Sequence, residues 1–411
     1  MGLVVELAKR NLSGWAIDSR QRALEHDRMA GEPIFLTGAT GFVGMELLAR
    51  YLEGTDREVF ALVRGRDDAE AHARLHATVG RILPDADRYA DRLVAVRGDV
   101  TQPGLGLSDR RRAAIACEVG EIVHSAASVS FSLPLPESRA INVEGTRRML
   151  EFAELCSRCG GLRRLSYVST AYVAGDRRGT FGEDDLDVGQ SFRNPYEQSK
   201  FEAEGMVRAH MTRLPIQVFR PSIVVGEQAS GWTPAFNVIY WPLRAFAKGA
   251  YAALPARRRS PVDIVSIDYV ADAIFELSRN DLAVGETYNL AAGPRATSVG
   301  ELLELTTSYF GKRAPTTIPP GLYRRVAHPL LKLRANERRR AVLEQSEVFF
   351  PYFAMRVHYD TTRATERLRP LGIEPAPLPD YFDRLLDYAV AARWKPKPLR
   401  PKAEGRTPVT V

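Results

Sequence analysis

Tyr196 and Lys200 lie four residues apart in Asn194-Pro-Tyr-Glu-Gln-Ser-Lys200, which reads as the start of a helix with Pro195 in its first turn. That spacing puts a phenol and an ammonium on one helical face. A phenol titrates near ~10, so it moves protons at neutral pH only where a neighbouring cation favours the phenolate. Lys200 can supply that charge. Ser166-Tyr-Val-Ser-Thr-Ala-Tyr-Val173 adds hydroxyls at the end of a predicted strand. A hydroxyl there can hydrogen-bond the carbonyl oxygen that Tyr196 protonates, forming an oxyanion-stabilising pair. Alternation along the strand turns Ser169 to the opposite side, which selects Thr170. The expected catalytic set is Thr170, Tyr196 and Lys200.

A phosphate-binding loop stands well upstream. Ile34-Phe-Leu-Thr37 is a short apolar strand that runs into Gly38-Ala-Thr40-Gly41-Phe42-Val43-Gly44 and then a helical pattern. Gly38 allows the tight turn, Gly41 lets the backbone approach a pyrophosphate, and Gly44 permits close helix–strand packing. The helix start offers free N–H groups to the anion. Thr37, Gly38, Thr40, Gly41, Phe42, Val43 and Gly44 are therefore expected at a dinucleotide, whose nicotinamide ribose Lys200 could bind. At the end of the second strand, an acid would favour NAD and an arginine the 2′-phosphate of NADP. Ala61-Leu-Val-Arg64-Gly-Arg66 supplies Arg64, with Arg66 as a second contact, so the expected cofactor is NADPH. In Gly98-Asp99-Val100, Asp99 could meet the adenine amino group or stabilise its own turn.

These groups need a scaffold. Short β-branched runs alternate with helical patterns through the first two-thirds of the chain, the mark of βαβ units. The predicted strands are Ile34–Thr37, Val59–Val63, Leu93–Arg97, Ile122–His124, Leu165–Ser169 and Ile216–Arg220, with Glu286–Leu290 rejoining later. The predicted helices include Gly44–Leu52, Asn142–Cys156 and Pro195–His210. The fold class expected is α/β: a Rossmann-like doubly wound parallel sheet with a smaller C-terminal substrate-binding cap. Residues 1–32 read as a helical extension, 33–225 as the NADP-binding domain, 226–390 as the cap and 391–411 as a basic disordered tail.

The 411 residues are 45% apolar and 26% charged, ordinary for a globular protein with a sizeable core. No apolar stretch approaches the ~20 residues of a membrane span, and charges break the N-terminal run before it could serve as a secretory signal. Three cysteines suit a reducing compartment. The lone Cys156–Cys159 pair lacks partners for zinc, and His72 with His76 lacks an adjoining acid, so no metal is expected. The net charge of +7 is local. Leu322–Arg340 holds seven Lys/Arg against one Glu, and Ala391–Val411 six against one, so the rest is net acidic. This argues against a nucleic-acid-binding core. The reading is of a cytoplasmic protein, and Leu322–Arg340 is a basic amphipathic stretch that could touch the inner membrane surface peripherally.

From about Pro33 to Leu290 the chain resembles the extended short-chain dehydrogenase/reductases. The marks are Thr37–Gly44, Gly98-Asp99-Val100, His124-Ser-Ala-Ala127, Asn142-Val-Glu-Gly-Thr146, Ser169-Thr170, Tyr196/Lys200 and Arg220-Pro221-Ser-Ile-Val-Val-Gly226. The resemblance implies Thr170 as the catalytic hydroxyl, Tyr196 as acid/base and Lys200 as its support. It also implies Val100 beside Asp99, Ala126 and Ala127 along the cofactor, and Pro221 near the nicotinamide. Leu62-Val-Arg64, Val168–Val173, Arg220–Val225 and Val262–Asp272 are similar to the thioester reductases, including fatty acyl-CoA reductases. That similarity implies an acyl thioester substrate carried by coenzyme A or a separate acyl-carrier protein, and an aldehyde or alcohol product. Trp232–Tyr251 would offer an apolar lid, and Arg257, Arg258 and Arg259 could receive phosphate. The competing readings are another extended-family oxidoreductase or epimerase acting on a sterol-like alcohol, ketone or nucleotide sugar, and a non-catalytic NADPH-binding sensor or scaffold.

Overall fold

A computed structural model describes residues 31–327, 329, 344 and 346–395. The predicted N-terminal extension, most of the basic Leu322–Arg340 stretch and the tail after Lys395 lie outside the described residues. The part of the basic stretch that is described leaves Leu322 and Val326 exposed beside Arg324 and Arg325.

Seven strands form the central sheet: β1 (Ile34–Thr37), β2 (Val59–Val63), β3 (Leu93–Arg97), β4 (Glu121–His124), β5 (Arg164–Val168), β6 (Ile216–Pro221) and β7 (Thr287–Leu290). All pairings are parallel, in the order β7-β6-β5-β4-β1-β2-β3. The predicted boundaries agree to within a residue or so. The order reverses between β1 and β4, which opens a crevice at the carboxyl ends of those strands.

Six helices cover the two faces: α1 (Phe42–Gly54), α2 (Asp68–Ile82), α3 (Asp109–Glu118), α4 (Leu135–Cys159), α5 (Pro195–His210) and, after a cap helix α6 (Tyr240–Ala247), α7 (Ile267–Ser278). Strand alternation sorts the core. Ile34 and Leu36 face the cluster built with α1, α2 and α7, whereas Phe35 faces the one built with α3, α4 and α5. Arg50 of α1 donates to Asp272 of α7 at 2.9 Å, tying that layer together.

The return to the sheet begins earlier than the sequence suggested. Ile264–Ser266 pairs in parallel with Ile223–Val225, and α7 then packs on the sheet before β7. α7 buries Val270, Ala271, Ile274 and Leu277 and keeps Asp268, Asp272 and Glu276 on its outer face. The cap has its own core, including Leu243, Val262, Val357 and Leu386. It is stitched to the sheet domain where Arg178–Phe181 pairs with Arg356–Tyr359.

Candidate active site

The glycine loop has the geometry of an anion cradle. Gly38 sits at φ +77°, and a Cβ there would meet Ala126 N at 2.7 Å. A Cβ on Gly44 would come within 2.1 Å of the Gly38 carbonyl oxygen. Both are backbone obstacles, so only glycine fits. α1 has no side-chain cap and no acid in its first turn, which leaves its N–H groups for an anion. Thr40, Gly41, Phe42, Val43 and Gly44 line one cleft with Ala127, Thr170, Tyr196, Lys200 and Pro221. A dinucleotide fits this donor set.

Other expected cofactor contacts are placed differently. The Thr37 hydroxyl is buried between His124 Nδ1 at 2.7 Å and Ala126 N at 3.2 Å, so it braces the loop from behind. Ala126 and Val100 pack into the core on the α4 side. Asp99 Oδ1 accepts from the Thr101 amide at 2.8 Å and its hydroxyl at 2.9 Å, so this oxygen braces its own turn. Arg64 is exposed at the end of β2. Arg66 pairs with Glu70 at 2.8 Å. Arg74, missed in the sequence, donates to the Arg64 carbonyl at 2.8 Å and adds a third cation at that corner. Arg81, from the last turn of α2, also lines the cleft.

α5 starts where the sequence placed it. Asn194 Oδ1 accepts from the Glu197 amide at 3.0 Å and Pro195 occupies the first turn. Tyr196, Lys200 and Glu204 then follow at four-residue intervals along one face. Lys200 Nζ donates to Tyr167 Oη at 3.0 Å and to the Val168 carbonyl at 2.9 Å. Burial pulls its ammonium down to about 8, with Glu204 opposing. Burial pushes the Tyr196 phenol up to about 12, opposed by a hydrogen bond with Thr170 and reinforced by Glu197. Lys200 therefore bonds the strand behind it, and Tyr196 is held protonated, the state a proton donor needs. Tyr167 and Val168 each take one of the ammonium N–H groups. Burial and the Lys200 charge hold His124 neutral, at about 3.

Ser169 and Thr170 face opposite ways, as alternation requires. Ser169 Oγ donates to Glu204 at 2.5 Å, inside the fully buried Glu204–Arg220 ion pair of 2.6 Å. Thr170 Oγ1 lies in the cleft, donating to the Pro221 carbonyl at 3.4 Å and accepting from the Tyr172 amide at 3.3 Å.

An aromatic wall was not legible in sequence. Phe131 stacks on Tyr196 with centroids 5.5 Å apart and on Tyr352 at 5.2 Å. Tyr352 Oη donates to Glu197 Oε1 at 2.6 Å, fastening the cap to the start of α5. Of the expected lid, Pro234, Ala235, Asn237 and Val238 line the cleft, while Trp232 is fully buried. Arg257, Arg258 and Arg259 do not line it. Arg258 pairs with Glu304 at 2.6 Å. An acid does adjoin His76: Asp87 lies at 3.1 Å, correcting the sequence reading. Even so, no group of three metal-ligating side chains forms among the described residues. No helix among them is long and apolar enough to cross a membrane.

Residues 36–274, more than half of the chain, match the NAD-binding family described as Male sterility protein. The chain belongs to that family. It is an extended short-chain dehydrogenase/reductase of the thioester reductase type. The terminal R domain from the myxalamid PKS-NRPS biosynthetic pathway superposes with a TM-score of 0.77 at 26% identity, over 89% of this chain and 92% of that one. The isonitrile lipopeptide synthase of Streptomyces coeruleorubidus is 35% identical over 259 residues, 62% of this chain and 17% of the synthase. Fatty acyl-CoA reductase wat of Drosophila melanogaster is 27% identical over 300 residues, 62% of this chain and 56% of that protein. The chain thus spans under two thirds of these curated relatives. The family match stops at residue 274, so Tyr352 and the cap segment carrying it lie beyond it.

Proposed function

We propose that this protein is an NADPH-dependent reductase of fatty acyl thioesters, delivered on coenzyme A or an acyl-carrier protein, and that it yields the aldehyde and, after a second reduction, the alcohol. The observation that carries the reading is the shared cleft: the glycine loop at one end, Thr170 and Tyr196 at the other, and an apolar wall over them. Membership in the thioester reductase family supports the substrate class.

Gly41, Phe42, Val43 and Gly44 would hold the dinucleotide, whose nicotinamide would supply hydride for the thioester carbonyl carbon. Thr170 Oγ1 turns from the Pro221 carbonyl to donate to the substrate oxygen. Tyr196, kept protonated by burial, donates to the same oxygen and passes its proton as the alkoxide develops. The hemithioacetal then expels the thiol and leaves the aldehyde. Lys200 holds positive charge on the same helix face as Tyr196 and would bind the nicotinamide ribose. Phe131 and Tyr352 exclude water from the reacting carbonyl. Arg64, beside Arg66 and Arg74, supplies cations for a 2′-phosphate, which is the basis for choosing NADPH.

The test is nucleotide consumption by the purified protein across acyl-CoAs, ketones and sterols, with NADPH and NADH compared and products identified. The proposal expects thiol release coupled to NADPH oxidation. Turnover of ketones or sterols with thioesters inert would replace it by the sterol-alcohol or ketone reading.

A further inference from the structure

An ammonium has three N–H groups, and on Lys200 two of them are committed to one strand. The Val168 carbonyl accepts one at 2.9 Å and Tyr167 Oη the other at 3.0 Å. The third is left for the cleft that Lys200 lines. A carbonyl can only accept. A hydroxyl can donate or accept, so Tyr167 serves Lys200 best where its own proton is engaged elsewhere.

Buried groups behind the cleft engage that proton. Thr146 of α4 hydrogen-bonds Tyr167 and gives its own proton to the Asn142 carbonyl at 2.6 Å, so its oxygen accepts from the phenol. The same oxygen lies 3.3 Å from His124 Nε2. Thr37 Oγ1 accepts from the Ala126 amide at 3.2 Å and gives its proton to His124 Nδ1 at 2.7 Å. The neutral imidazole therefore keeps its proton on Nε2 and directs it at Thr146. Thr37, His124, Thr146, Tyr167 and Lys200 are each 3% exposed or less. The chain they form runs from the back of the glycine loop to β5, where the strand register sets Tyr167 beside His124.

We propose that Tyr167 is a positioning residue: held as an acceptor by Thr146, it fixes the Lys200 ammonium so that the remaining N–H serves the nucleotide. The inference rests on the nucleotide-binding part of the reading above and not on the thioester. The titratable groups around Lys200 are His124 from β4, Tyr167 from β5, and Tyr196 and Glu204 from its own helix. Glu204 is in turn paired with Arg220 of β6. Among the described residues, Tyr167 is the one of these that accepts a hydrogen bond from Lys200. Removing that acceptor disfavours the charged form. Titration of the ammonium, near 8 in the intact protein, should then move acid by about one pH unit.

The experiment is the NADPH dissociation constant from pH 6 to pH 9 for the parent protein, Y167F, T146V and a control, Y51F, with melting temperatures recorded. Tyr51 is an equally buried phenol on α1, bonded to Glu121 and Ser278 and outside the cleft lining. Dividing each variant's constant by the parent's cancels titration of the nucleotide's own phosphate. The Y167F ratio should climb about tenfold between pH 6 and pH 9, because the ammonium is lost about one unit earlier. T146V, which frees the phenol proton, should move the ratio in the same direction, and Y51F should leave it level whatever it does to melting. A Y167F ratio that is level with pH, even if raised throughout, would make the phenol merely structural and overturn the proposal. If Y167F fails to fold, T146V decides by the same criterion. Failure to reduce any thioester would remove the substrate reading alone, because the readout here is nucleotide affinity.

Discussion

The adjacent hydroxyls of Ser169 and Thr170 should fail in different ways when removed. Thr170→Ala deletes a donor that lies in the cleft. Loss of one oxyanion donor costs about 10²–10³ in kcat. It also removes the bond to the Tyr172 amide, a capping loss of about 1 kcal/mol. Ser169→Ala instead removes a 2.5 Å bond to buried Glu204. A hydrogen bond to a charged group contributes about 1.5–3 kcal/mol, while Arg220 and Arg208 still hold the carboxylate. The variant should therefore melt several degrees lower, at about 2–4 °C per kcal/mol for a domain of this size, and keep kcat within about threefold. Steady-state NADPH oxidation with an acyl-CoA and a thermal melt, run on both variants and on Thr170→Ser, separate the two roles. Thr170→Ser should recover most of the rate. The reasoning is refuted if Ser169→Ala loses turnover at unchanged stability while Thr170→Ala remains active.

Arg64→Ala should raise KM for NADPH about 10–100-fold with little effect on NADH, because a charge-assisted bond to a phosphate disappears; equal losses for both nucleotides would count against the assignment. Gly44→Ala puts a Cβ 2.1 Å from the Gly38 carbonyl oxygen and should cost at least about 1–3 kcal/mol of stability as well as nucleotide binding, read by melting and nucleotide titration. The pH profile follows from Lys200, drawn down to about 8 by burial. Its ammonium is present below that pH and lost above it, so kcat/KM for NADPH should fall as pH rises through about 8; a level profile to pH 10 would remove Lys200 charge from the account.

The sheet was readable because parallel strands buried on both faces appear as short continuous apolar runs, and β1 to β7 fall where those runs are. The glycine loop and the Asn194-Pro195 start of α5 were equally local: each depends on neighbours within a few residues. Orientation was less accessible. The Thr37 hydroxyl belongs to the same loop motif as Thr40 but points inward to His124. Spacing placed Tyr196 and Lys200 on one face, yet nothing in α5 announces that Tyr167, one strand away, would take the ammonium. The aromatic wall is less local still, since Phe131 and Tyr352 meet only through tertiary packing. The Arg257–Arg259 run looked like a phosphate site because sequence shows charge density without showing Glu304 opposite Arg258.

The central claim is transfer of hydrogen from the nicotinamide to a thioester carbonyl beside Tyr196. The most direct measurement is mass spectrometry of the product formed from an acyl-CoA and NADPH deuterated at the transferring C4 position. One deuterium in the aldehyde per thiol released, abolished in Tyr196→Phe although that variant still binds NADPH, is the expected result. Thiol release without deuterium in the product, or undiminished transfer in Tyr196→Phe, would contradict it.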